Sequence, residues 1–121
     1  MSALLAALAL ALPGGAHATP PTTALGVGLR EWRIGVYRAR VPAGRVRLNL
    51  TNFGEDAHDL QVVGPGGYRS AVSVDVAPNG GRLAFALTLR RSGTYRLLCV
   101  KPGHLALGMR ATLRVTRSRR R

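Results

Sequence analysis

Acidic side chains are scarce in this 121-residue chain: five Asp and Glu stand against 18 Lys and Arg, for a net charge of +13. Glu31, Glu55, Asp56, Asp59 and Asp75 suggest no acid–base pair, and no Ser/His/Asp arrangement accompanies them, which argues against hydrolytic chemistry. Cysteine occurs once, at Cys99. One thiol excludes an internal disulfide and any Cys-rich structural zinc site. Aromatics make up 5% of the chain, too few for the stacking platforms of single-strand nucleic-acid binders. No internal repeat is present, and no stretch beyond the first 18 residues shows convincing helical periodicity.

Long apolar runs are missing with one exception, Ala3 to Leu12. It is about half the length that spans a bilayer. Pro13-Gly14-Gly15 breaks it, and Ala16-His17-Ala18 supplies a small-x-small cleavage pattern, so residues 1–18 read as an export signal. No basic residue precedes the run, which leaves only the α-amino group as its positive end. Residues 19–23 (TPPTT) form a linker, 24–116 a single domain, and 117–121 (RSRRR) a basic tail. Removal of the signal takes away Met1 and His17. The remaining chain then holds two His, one Cys and one Met. An exported lone thiol is chemically exposed unless something occupies it, and a metal would do so.

From Leu25 the apolar period is two. Leu25, Val27 and Leu29 share one face, as do Trp32, Ile34 and Val36 in the next run. After the Val41-Pro42-Ala43-Gly44 turn, Val46, Leu48 and Leu50 alternate with Arg45, Arg47 and Asn49. His58 opens a strand in phase with Leu60 and Val62. Tyr68 to Val76 is a weaker candidate, and Ala77-Pro78-Asn79-Gly80-Gly81 is a turn. Leu83, Phe85, Leu87 and Leu89 follow, then Tyr95, Leu97 and Cys99, and finally Met109, Ala111, Leu113 and Val115. Seven or eight short strands separated by Gly/Pro turns predict an all-β, antiparallel sandwich. In that phase His58, Cys99 and Met109 all point inward from strand ends.

Each of these residues taken alone has a plain structural explanation: a buried Cys packs as a small hydrophobe, a Met fills core, a His satisfies a strand end. Together they are harder to explain that way. Cys99, His104 and Met109 lie on one eleven-residue loop, with Pro102-Gly103 shaping the turn before His104. Two imidazoles, a thiolate and a thioether form the donor set of blue electron-transfer copper sites. The Cys-x4-His-x4-Met spacing, with REWRI, VPAG, LNLTNFGEDAHDL, APNGG and GTYRLLCVKPGH in that order, resembles the cupredoxins, small exported type 1 copper proteins. The resemblance covers about Leu25 to Thr116.

That resemblance implies a Greek-key β-sandwich and one type 1 copper ion, held by His58, Cys99, His104 and Met109 and cycling between Cu(I) and Cu(II). It further implies an electron carrier rather than an enzyme, exported to the periplasm or extracellular space, monomeric, and served by a redox partner protein. The positive charge suits an acidic docking surface on that partner, or an anionic membrane surface; a nucleic-acid partner is not expected. His58 should be buried and His104 near solvent, ringed by Pro102, Leu105, Ala106 and Leu107. A second bridging Cys for a two-copper centre is missing, and Leu98 and Val100 flank Cys99 where a multicopper oxidase would carry His. Two departures stand out. Asp59 follows the first His where cupredoxins commonly have Asn, and Val100 follows the Cys where many have Ser or Thr. The alternatives are an exported copper-delivery or tolerance module, and a metal-free basic interaction domain.

Overall fold

The computed structural model describes residues 21–118. The expected signal, the start of the linker and the last three residues of the basic tail lie outside them. Nine strands are present among the described residues: β1 (Thr23–Arg30), β2 (Arg33–Val36), β3 (Arg40–Pro42), β4 (Gly44–Asn52), β5 (Gln61–Gly64), β6 (Tyr68–Arg69), β7 (Gly81–Leu89), β8 (Gly93–Leu98) and β9 (Arg110–Thr116). They form a four-stranded sheet in the order β2-β1-β4-β7 and a five-stranded sheet in the order β3-β9-β8-β5-β6. The all-β sandwich is as expected.

Strand number and direction differ from the reading of the sequence. Nine strands replace seven or eight because β3 and β6, of three and two residues, are too short to display an alternation. Nor are the sheets purely antiparallel, since β1 runs parallel to β4, and β3 parallel to β9. The chain leaves the first sheet after β2, places β3 on the other, and returns with β4 beside β1. Side-chain period reports which face a residue occupies; it carries no information on strand direction.

The core lies between the sheets. Leu25, Val27 and Leu29 of β1, Val46, Leu48 and Leu50 of β4, and Tyr95 and Leu97 of β8 are all buried, with Cys99, Met109, Leu113 and Val115 among them. The inward phase expected for these runs holds. Trp32 does not share it. It sits in the β1–β2 turn and is 38% exposed, while Ile34 alone of its run is buried.

The weak candidate between Tyr68 and Val76 yields only β6 and a single bridge at Val76. Serines take over where the ladder stops. The Val62 N–H donates to Ser70 Oγ and the Leu60 N–H to Ser73 Oγ, at 2.9 and 3.0 Å. Hydroxyls thus satisfy backbone donors that a continuous strand would have paired. Val72 and Val74 are left facing outward.

Candidate metal centre

His58 precedes β5 and is tied to Val76 by reciprocal backbone bonds, His58 N–H to Val76 O at 3.3 Å and Val76 N–H to His58 O at 2.7 Å. The loop leading to it, residues 53–57, is organised by Asn52. The Asn52 amide is buried and saturated: Nδ2 donates to the carbonyls of Asp56 and Val76, and Oδ1 accepts from the Gly54 N–H. The APNGG turn closes over it, with the Asn79 and Gly80 N–H groups donating to the Gly54 and Asn52 carbonyls. Asn79 and Gly80 both have positive φ, at 59° and 97°, which an Asn-Gly pair accommodates.

The other side of the site is the loop from Cys99 to Met109. Cys99 directly follows β8 and Met109 directly precedes β9, and the Cys99 N–H donates to Met109 O at 3.1 Å. The Met109 N–H in turn donates to His104 O at 3.2 Å, and the His104 N–H to Lys101 O at 3.0 Å. Sulfur, imidazole and thioether are therefore set by one hydrogen-bonded backbone loop. Gly103 and Gly108, both at positive φ, make its two reversals.

These elements bring three donor atoms together. Cys99 Sγ lies 3.5 Å from His104 Nδ1 and 3.9 Å from His58 Nδ1, and the two Nδ1 atoms are 3.2 Å apart. A point equidistant from all three is about 2.1 Å from each, the length of a metal–imidazole bond and slightly short of a metal–thiolate bond. Three donor atoms at these separations could share one ion. His58 and Cys99 are fully buried and His104 is half-buried, as expected of the two imidazoles. Met109 is fully buried on the same loop.

Burial pushes the Cys99 thiol up from its ordinary value. The backbone N–H groups of Asp59 and Lys101 pull it partly back, and the Asp59 carboxylate raises it further. The thiol therefore holds its proton until a cation displaces it, so that metal uptake releases a proton. Asp59, buried beside His58, accepts the Val100 N–H at 2.8 Å through Oδ1. A carboxylate thus ties the two ligand loops together where cupredoxins commonly use an amide.

Two residues of the β1–β2 turn reach the site and carry no signal in the sequence reading. Glu31 Oε1 is 2.9 Å from His58 Nε2. Glu31 also accepts the Asp56 N–H at 2.7 Å and the Glu55 N–H at 3.1 Å. Its carboxyl is lowered to about 2, chiefly by the Asp56 N–H, against a smaller opposing effect of burial. Trp32 packs edge-on against the His104 ring, with centroids 4.9 Å apart. Only the sequence separation, 27 residues between Glu31 and His58, hid the first contact; a carboxylate far upstream has no motif spacing to betray it.

No protein-family model matches the sequence, and no curated protein matches it. Solved structures do match in fold. The reduced auracyanin of Roseiflexus castenholzii is 21% identical, with 78% of this chain and 96% of that one covered and a TM-score of 0.58. Auracyanin A of Chloroflexus aurantiacus, described as a "blue" copper protein, is 20% identical over 79% of this chain and all of that one, at a TM-score of 0.62. Rusticyanin of Thiobacillus ferrooxidans is 19% identical over 78% and 77%, also at 0.62. The chain has the fold of the blue copper cupredoxins. Within that fold its own contribution is a cluster of two imidazoles and one thiol at the end of the sandwich where β8 and β9 meet.

Proposed function

We propose that this protein carries single electrons on a mononuclear type 1 copper held by His58, Cys99, His104 and Met109. The observation that carries the reading is the convergence of two Nδ1 atoms and one Sγ, 3.2 to 3.9 Å apart. Bound there, copper would supply a Cu(I)/Cu(II) couple. The protein's part is to keep the donors in place in both states, so that little reorganises when the electron moves. Both sheets anchor the ligand loops, and His58, Cys99 and Met109 are closed to water.

The softness of the donors supports copper over zinc. A thiolate with two imidazoles and a thioether suits Cu(I) and Cu(II), whereas structural zinc takes four strong ligands. Met109 is proposed as the fourth residue that would hold the ion, from its burial and its backbone bonds to Cys99 and His104. His104, half-buried and flanked by exposed Leu105 and Leu107, is the proposed port for electrons to a partner protein. The apolar run at residues 3–12, with the Ala16-His17-Ala18 pattern after it, supports an exported location. Among the described residues, no helix is long and apolar enough to cross a membrane.

The test is the visible spectrum of the protein with one equivalent of Cu(II). The expected result is an intense thiolate-to-copper band that bleaches with ascorbate and is absent from Cys99→Ser, whose hydroxyl is neither ionised nor soft. A Ser variant that keeps the band would overturn the ligand assignment. A wild-type protein that takes up Cu(II) without the band would return the chain to copper handling rather than electron transfer.

A further inference from the structure

Glu31 stands outside the donor triangle, yet two backbone N–H groups and one imidazole nitrogen converge on its carboxylate. The backbone donors of Asp56 and Glu55 occupy Oε1 and Oε2, and His58 Nε2 meets Oε1 at 2.9 Å. A carboxylate so engaged acts as an acceptor, so the group it meets on His58 must be a donor. The proton of a neutral His58 is therefore on Nε2, and the lone pair is on Nδ1, facing Cys99 and His104. Because Oε1 also binds the Asp56 backbone, the carboxylate is fixed to the loop that leads into His58. It constrains the orientation of the ring as well as its tautomer. Gly54 leaves room for this arrangement, since a Cβ there would overlap both carboxylate oxygens.

We propose that Glu31 is a positioning residue for the metal centre: it locks the His58 ring through Nε2 and makes Nδ1 a stronger donor, favouring the higher charge state of the bound ion. The proposal rests on the reading of the site as a copper centre. Its chemistry is that of a carboxylate–histidine–metal relay, in which the outer hydrogen bond raises ligand basicity and its loss costs 10- to 100-fold in metal affinity. Cu(II) depends on imidazole donation more than Cu(I) does, so the loss falls unequally on the two states. With the charge on Glu31 removed, Cu(II) affinity should fall about tenfold more than Cu(I) affinity, and the reduction potential should rise by about 59 mV.

The first measurement needs no metal. In the metal-free protein the His58 Nε2–H should give a low-field, slowly exchanging imidazole line that disappears in Glu31→Ala and broadens in Gly54→Ala. A line that survives Glu31→Ala, or that never exists in the wild type, would sink the proposal whatever the copper does. The second measurement is the potential of the copper-loaded protein. Glu31→Gln, which keeps one acceptor oxygen and the shape, should raise it. Glu55→Gln removes a neighbouring charge whose side chain does not touch His58, and should move it far less. Equal shifts in the two variants would reduce Glu31 to a distant charge and refute its positioning role. Failure of the wild type to show the blue band would count against the copper reading alone, and the N–H line would still decide whether Glu31 holds His58.

Discussion

At the scale of single residues, the four proposed ligands differ in how much each can be altered without losing the site. Met109 is the most permissive. Its backbone joins Cys99 and His104, and that link survives any side-chain change. Met109→Leu should retain copper on the three remaining donors and raise the potential, because the thioether's residual donation to Cu(II) is gone. Met109→Gln should lower it through a harder oxygen donor. Voltammetry of the two variants checks both signs, and a potential that moves in neither would make Met109 plain core. Glu31 offers a second handle, this one read through pH. Its carboxyl is lowered to about 2 from an ordinary value near 4.5. A depressed acid stabilises the fold above the unfolded value and loses that contribution as pH falls through the folded one. The stability difference between wild type and Glu31→Gln should therefore be constant above about pH 4.5 and shrink as pH drops toward 2. Denaturant midpoints of the metal-free proteins across that range test it, and a difference independent of pH would show that the Glu31 charge contributes nothing to the fold.

At the scale of elements, β8 joins the structural and functional ends of the sandwich. Cys99 closes one end, while near the other Tyr95 is buried, its hydroxyl donating to Arg91 O at 2.8 Å. Gly64, at the end of β5, lies directly over the Tyr95 ring, and a Cβ there would overlap it. Its backbone is extended, so the obstacle is contact rather than dihedral strain. The Tyr68 ring, 5.6 Å away edge-on, blocks the obvious retreat. Gly64→Ala should cost about 1–3 kcal/mol and lower Tm by several degrees. The copper spectrum should be unchanged, because the lesion is at the far end of β8. An unchanged Tm in thermal unfolding would mean that the Tyr95 ring yields freely. The same elements show what the sequence could and could not reveal. The inward phase of Val46, Leu48, Leu50, Tyr95, Leu97 and Cys99 was legible, because burial on one face of a strand imposes a period of two. The proposed ligands were legible because soft donors are few in this chain and three share a loop. Strand direction was not legible, and neither was the role of Asn52, whose place at the head of a polar loop gives no sign that its amide is buried. Glu31 and Trp32 were invisible for a related reason: a turn can deliver side chains to a distant loop without leaving any periodicity.

At the scale of the molecule, charge is unevenly placed. All five carboxylates gather at the end that holds His58, Cys99 and His104: Glu31 on His58, Glu55 and Asp56 in the loop bound to Glu31, Asp59 on the Val100 N–H, and Asp75 paired with Lys101 at 2.7 Å. The outer faces of the two sheets carry exposed Arg45, Arg47, Arg82, Arg96 and Arg114, with no acid among the strands that bear them. Around His104, Trp32, Leu105 and Leu107 are 38%, 38% and 57% exposed, and Pro102 and Ala106 are exposed beside them. An apolar patch of this kind can exclude water on contact, while the surrounding net charge of +13 governs approach. The net charge should therefore draw a partner with an acidic docking surface in over long range, against the local carboxylates, and the apolar patch rather than charge pairing should then seat it. The two stages respond differently to perturbation. Salt screens the approach, since the Debye length shrinks from about 30 Å at 0.01 M to about 3 Å at 1 M, so the bimolecular electron-transfer rate should fall at least tenfold across that span. Leu107→Asp should slow transfer at every salt concentration, by placing a charge that must lose its water inside the contact. Stopped-flow mixing with an acidic redox protein, at several ionic strengths and with both forms of the donor, measures the two effects separately. A rate indifferent to salt and to the Leu107 change would place the port away from His104 and assign the Trp32–Leu107 patch another purpose.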